Sequence, residues 1–141
     1  KPKRNAEFYH IRRSVYEEMV SYCETALPYE GCGLLSGKGV SGETLWKMEN
    51  ESKRMNRFHM SAQSIKEVVE KMAEKGEELT GIFHSHPNSP PIPSAADIQN
   101  NPYHDLAYII VSFYKDEPNV GCYKISSSGE VFPLQLNIID K

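Results

Sequence analysis

The segment Gly81-Ile82-Phe83-His84-Ser85-His86-Pro87, with the proline-rich stretch behind it, restricts this chain more than any other part of its sequence. The apolar lead-in Leu79–His84 predicts a strand. Four prolines between Pro87 and Pro93 then exclude a helix and impose a stiff loop. Residues i and i+2 of a strand point to the same side, whereas on a helix they point nearly opposite ways. His84 and His86 can therefore converge on one point while Ser85 faces away. Ser94-Ala95-Ala96-Asp97 follows and opens a short helix, which makes Asp97 the natural third donor. Two neutral imidazoles and one carboxylate leave a position of a tetrahedral zinc open, the pattern of a catalytic rather than a structural site. Each part has a plainer reading when taken alone. A His-x-His pair is a weak sign of metal, and Ser-x-x-Asp is a helix-capping pattern. Their co-occurrence across a rigid loop favours the metal, because capping requires no histidine pair nearby.

The rest of the chain predicts a mixed α/β fold. Phe8–Ile11 reads as a strand, and Ser14-Val15-Tyr16-Glu17 as a capping box that starts a helix. That helix carries Val15, Met19, Val20, Cys23, Ala26 and Leu27 on one face and ends at Pro28. Gly33-Leu34-Leu35 predicts a buried strand, followed by a turn over 37–42 and a hairpin strand over Thr44–Met48. Residues 49–57 are polar and read as loop, and Arg57–Met60 as a further strand. Ser64-Ile65-Lys66-Glu67 reads as a second capping box. It opens a helix with Ile65, Val68, Val69, Met72 and Ala73 on one face and Gly76 as its C-terminal cap. Leu106–Phe113 predicts a central strand. Val120–Ile125 and Val131–Leu136 predict two more, joined by a turn at Ser126–Gly129. Helices and strands mix without a strict βαβ rhythm, so the expectation is one domain over residues 1–141 with a mixed, curved sheet flanked by helices.

Composition excludes some partners. A net charge of −3 gives no reason to expect nucleic acid or an anionic membrane. The basic Lys1–Arg4 start is short and reads as a frayed terminus. No apolar run reaches transmembrane length, and no signal-peptide core opens the sequence. Three cysteines, Cys23, Cys32 and Cys122, without a CxxC, give neither a disulfide framework nor a four-cysteine metal site. Reduced thiols and a cytoplasmic location are the simplest expectation. Whether Cys32 and Cys122 meet is left open.

His84-Ser85-His86-Pro87 and Ser94-x-x-Asp97, together with Glu30 in Pro28-Tyr29-Glu30-Gly31-Cys32-Gly33, resemble the signature of the JAMM, or MPN-plus, zinc metallopeptidases. The resemblance runs from the first helix to the last strands and is to the stand-alone prokaryotic form. It implies a cytidine-deaminase-like MPN fold and one Zn²⁺ held by His84, His86 and Asp97. It further implies Glu30 as general base and Ser94 as hydrogen-bond donor to the oxyanion. The activity implied is hydrolysis of a peptide or isopeptide bond at the C-terminal tail of a ubiquitin-like or sulfur-carrier protein. A non-catalytic binding module of the same fold is the alternative, and the intact set of four site residues weighs against it. A two-histidine, one-carboxylate iron oxygenase is a third possibility, but its β-barrel suits two capped helices poorly. His10, His59 and His104 are scattered and read as surface or packing residues. Phe58 and Met60 read as core, with the lining of a substrate cleft as the alternative, Asn56 and Arg57 as candidates for touching a peptide, and Ser85 as a supporting hydrogen-bonding residue.

Overall fold

The structure, a computed structural model, describes residues 7–140; the Lys1–Arg4 start lies outside the described residues. Its elements in chain order are β1 (Phe8–Arg12), α1 (Arg13–Ala26), β2 (Cys32–Gly37), β3 (Ser41–Gly42), β4 (Thr44–Met48) and α2 (Ala62–Glu74). They continue as β5 (Glu78–His86), α3 (Ala95–Asn100), β6 (Ala107–Ser112), β7 (Asn119–Ile125), β8 (Val131–Pro133) and β9 (Gln135–Ile139). Six strands form a mixed sheet in the order β4-β2-β5-β6-β7-β8, and β3-β1-β9 form a smaller sheet. Only the β5–β6 pair is parallel in the larger sheet; its other pairs are antiparallel.

The sheet buries both faces, which is why β6 reads as an apolar run from Ala107 to Val111. On one face α1 inserts Val15, Met19 and Cys23 against Leu35, Phe83, Ile109 and Val111. On the other, α2 brings Ile65, Val68, Val69 and Met72 against Leu34, Ile82, Tyr108 and Ile110. Gly33 makes the first packing possible. A Cβ there would lie 2.4 Å from the Phe83 ring and 2.4 Å from the Trp46 carbonyl oxygen. The expected mixed α/β architecture is therefore observed, with β6 central in the larger sheet.

Four local expectations need correction. The Ser14 box does not form, because β1 runs directly into α1. Arg12 takes the N-cap position without a side-chain cap, and Ser14 falls inside the first turn. The second cap sits one turn earlier than expected. Ser61 Oγ accepts the Ser64 amide at 3.1 Å, and the Glu51 carboxylate accepts the Ser61 amide at 3.2 Å. A loop residue thus does what Glu67 was expected to do. Arg57–Met60 is not a strand, since the Asn50 side chain accepts the His59 amide that a ladder partner would take. Val131–Leu136 is split: β8 pairs with β7, and after Pro133 the chain crosses to pair as β9 with β1. Gly76 closes α2 as expected, at φ +75°. The amides of Gly76 and Glu77 return to the carbonyls of Ala73 and Met72, a Schellman arrangement.

Candidate metal centre

β5 ends at the centre of the sheet, and its last three residues are His84, Ser85 and His86. The alternation of the strand sends both imidazoles to the α2 side and Ser85 to the α1 side. His84 is fully buried and His86 nearly so. β2 pairs antiparallel with β5, with Cys32 opposite His84. The Ser85 amide donates to the Gly31 carbonyl at 3.0 Å and carries this pairing one step past β2. Glu30 consequently comes opposite His86 and on the same side of the sheet. It is buried, with 7% of its surface exposed. Ser85 fixes this approach from the other face, where its Oγ accepts the Gly31 amide at 2.8 Å.

The third donor comes from the β5–β6 crossover. Ser94 caps α3 and accepts the Asp97 amide through Oγ at 3.1 Å. The Asp97 carboxylate accepts the Ser94 amide in return at 2.9 Å. The capping box therefore forms, and the same carboxylate stands with both histidines in a group that could hold a metal ion. His84 Nε2 and His86 Nε2 lie 3.2 Å apart. Asp97 Oδ1 lies 3.3 Å from His84 Nε2, and its Oδ2 lies 3.1 Å from His86 Nε2.

These three separations are those expected around a single ion. Ligands about 2.0–2.1 Å from a tetrahedral Zn²⁺ stand about 3.3 Å from one another. Two imidazole nitrogens at that distance repel through their lone pairs unless a cation or a shared proton lies between them. The His86 tautomer also suits a ligand. Its Nδ1 donates to the Pro90 carbonyl at 2.8 Å, which leaves Nε2 with a free lone pair facing the centre. His84 is held by packing instead, stacked on Phe58 with ring centroids 4.4 Å apart and flanked by Tyr108 at 5.3 Å. Its Nδ1 has no hydrogen-bond partner among the described residues.

The proline loop keeps the crossover in place through three consecutive carbonyls. Ser112 Oγ donates to Ser89 at 2.6 Å, His86 to Pro90, and the Tyr123 hydroxyl to Pro91 at 2.6 Å. Stiffness from the prolines was legible in the sequence. Its anchors on β6 and β7 were not, because nothing marks a backbone carbonyl as an acceptor.

The electrostatics follow from burial and from the cluster. Burial pushes the Glu30 carboxyl up to about 7, opposed by His86 and helped by Asp97. Burial lowers the His84 imidazole. Burial also disfavours charge on His86 and Asp97, but their mutual hydrogen bonding wins. His86 is held above its ordinary value and Asp97 well below the usual carboxylate range.

A cavity of about 850 Å³ opens beside the cluster. Its walls include Ser94, Asp97, Phe58, Met60 and Tyr108, and its rim is the loop over residues 51–59. Phe58 and Met60 thus combine core packing with access to the cleft. Ser94 is exposed at its edge. Asn56, Arg57 and His59 line the same cavity, whereas His10 and His104 do not.

A family model described as prokaryotic homologs of the JAB domain (Prok-JAB) matches residues 12–125. The chain belongs to this family. That span holds Glu30, His84, His86, Ser94 and Asp97. Among relatives of this JAB domain is a desampylase of Pyrococcus furiosus, 30% identical over 83 residues, which are 59% of this chain and 59% of that protein. The chain therefore spans about three-fifths of the length of that curated relative. A solved protein of Desulfitobacterium hafniense superposes with a TM-score of 0.85 at 28% identity, over 95% of this chain and 94% of the other. A JAB1/MPN domain protein from Archaeoglobus fulgidus superposes at 0.60 with 22% identity, over 91% and 98%. The last likeness concerns the fold alone.

Cys32 and Cys122 lie on opposite faces of the sheet, with β5 and β6 between their strands, and all three cysteines are free. No helix among the described residues is long and apolar enough to cross a membrane.

Proposed function

We propose that this JAB domain is a zinc-dependent hydrolase. Its substrate would be a peptide or isopeptide bond at the C-terminal tail of a ubiquitin-like or sulfur-carrier protein. The observation that carries the reading is the triangle of His84 Nε2, His86 Nε2 and the Asp97 carboxylate, with sides of 3.1–3.3 Å. The desampylase relative supports the substrate class. His84, His86 and Asp97 would hold one Zn²⁺. When bound, the ion lowers the pKa of a water toward neutrality and polarises a carbonyl.

Glu30 is the general base. It stands on the same side of the sheet as both histidines, in a site dry enough to lift its carboxyl toward neutral pH. There it can take a proton from the attacking water and return it to the leaving amine. Ser94 uses its oxygen to cap α3, which leaves its hydroxyl hydrogen free for the oxyanion. Asp97 and the Pro90 carbonyl orient the His86 ring. Phe58 and Tyr108 keep water from the inner face of His84.

The test is Glu30→Gln in a protein shown by elemental analysis to carry one zinc per chain. Cleavage of a carrier protein extended past its terminal Gly-Gly should be lost while the zinc content is unchanged. Full turnover in that variant would remove Glu30 from the base role. Absence of stoichiometric metal in the wild type would end the hydrolase reading.

A further inference from the structure

The loop over residues 51–59 carries three cations that the fold itself does not use. Lys53, Arg54 and Arg57 are exposed, and all three line the 850 Å³ cavity that also contains Asp97 and Ser94. Their side chains form no ion pair or hydrogen bond with the described residues, whereas Arg12, Arg13, Lys47 and Lys66 do form ion pairs. Glu51 lines the same cavity but is held at the start of α2, where it accepts from the Ser61 amide and the Ser64 hydroxyl. Three cations thus share the cleft with two carboxylates, Glu51 and Asp97, both already engaged in hydrogen bonds, in a chain whose net charge is −3.

The loop is also fixed relative to the reacting groups. Asn50 Nδ2 donates to the Glu30 carbonyl at 2.9 Å and to the Arg57 carbonyl at 3.0 Å. Asn50 Oδ1 accepts the amides of Ser52 and His59. One side chain with all four hydrogen-bonding positions filled therefore joins the residue carrying Glu30 to both limbs of the loop. Phe58, next to Arg57, is stacked on His84. Cationic side chains carried on a fixed backbone at the edge of a cleft attract carboxylates to it.

We infer that the cleft selects substrates with acidic side chains flanking the scissile bond, read by Lys53, Arg54 and Arg57. This rests on the hydrolase reading for its substrate and deepens it. The three cations act before chemistry, on capture, so they should set KM and salt dependence rather than kcat.

The experiment uses zinc-loaded protein and internally quenched peptides with a Gly-Gly-Lys centre. Their flanks carry either Asp and Glu or Asn and Gln, upstream in one set and downstream in the other. Binding of the same peptides to the Glu30→Gln variant is followed by fluorescence anisotropy. In at least one set the acidic peptide should show a kcat/KM about 5- to 50-fold higher than its neutral counterpart at low ionic strength, the range of a few exposed charge contacts. The advantage should fade in high salt and vanish in Lys53→Ala/Arg54→Ala/Arg57→Ala, which should cleave acidic and neutral peptides alike. Lys53→Glu/Arg54→Glu/Arg57→Glu should invert the preference, so that the neutral peptide is cleaved better than the acidic one, an outcome that misfolding does not produce. Equal binding and cleavage of acidic and neutral peptides would overturn the inference while leaving the hydrolase reading intact. Cleavage of no peptide, with acidic ones still bound more tightly, would do the reverse.

Discussion

Asn50 and Glu30 are joined by a hydrogen bond of 2.9 Å from the Asn50 side-chain amide to the Glu30 carbonyl oxygen. The carboxyl group of Glu30 is thus positioned from its own backbone, and the loop over residues 51–59 takes its shape from the same amide. Asn50→Ala leaves two amides and two carbonyls without this partner. Each stranded group that cannot reach water costs about 1–3 kcal/mol. Denaturant unfolding should show a loss of roughly 1–3 kcal/mol, together with a fall in kcat. Asn50→Asp keeps both acceptors and sets a carboxylate against the Glu30 carbonyl, so it should be no better than Ala. Wild-type stability and turnover in either variant would mean that the loop is held some other way.

A resident ion should stabilise the fold as well as the reaction. An ion present at a hundred times its Kd adds about 2.7 kcal/mol. Removing it with a chelator should lower Tm by roughly 5–15 °C, given the size of the domain. Restoring Zn²⁺ should reverse the shift. Asp97→Ala should unfold at the same temperature with and without the chelator. A chelator-independent Tm in the wild type would contradict a built metal site.

The buried Glu30 carboxyl links stability to pH in the chelated protein. Its folded value of about 7 lies above the ordinary glutamate range, because burial favours the neutral acid. The folded state therefore binds the proton more tightly than the unfolded chain does. The associated stability is complete below the ordinary glutamate range and is lost as pH rises through about 7. Gln carries no such proton. Glu30→Gln should gain on the wild type between pH 5 and pH 8 by up to about 3 kcal/mol, measured by urea unfolding at each pH. A constant difference across that range would place the carboxyl in water.

Gly33 lies where Phe83 crosses β2. A Cβ at this position would meet the ring and the Trp46 carbonyl, both at 2.4 Å, and neither can retreat in a packed sheet. Gly33→Ala should cost about 2–4 kcal/mol, more than Gly39→Ala, where nothing lies within 4 Å of the new atom and only the φ of +65° opposes it. Comparable stability of the two variants would show that β2 has room to move.

The three thiols are held neutral. Burial pushes each of Cys23, Cys32 and Cys122 up to about 12. Since the thiolate is the reactive form, a disulfide reagent at pH 8 should titrate almost none of them in the native protein and all three in denaturant. Rapid reaction of a native thiol would indicate local opening of the sheet.

The cluster of His84, His86 and Asp97 was legible in the sequence because the two-residue repeat of a strand and the stiffness of prolines are local properties. His84 and His86 needed only the prediction of β5 to face together, and Asp97 needed only the loop behind them. The apolar faces of α1 and α2 could be read from spacing for the same reason. The Ser94 and Asp97 box forms as written, but those expected for α1 and α2 do not, because a cap also depends on what lies beside the helix. For α1 that was the directly joined β1, and for α2 the distant Glu51.

Glu30 shows the boundary most clearly. By itself its sequence context is that of an exposed carboxylate at the end of a strand, and only the resemblance to a known signature marked it out. The antiparallel register of β2 against β5 buries it opposite His86, and that register is set by pairing between segments distant in the chain, from Cys32 with His84 to Gly37 with Glu78. Asn50, the carbonyls of the proline loop and the cations facing the cleft belong to the same class. Sequence alone determined which residues could act as ligands. Tertiary structure decided which backbone atoms hold them and which charges surround them, because hydrogen-bond partners are chosen by packing and not by distance along the chain.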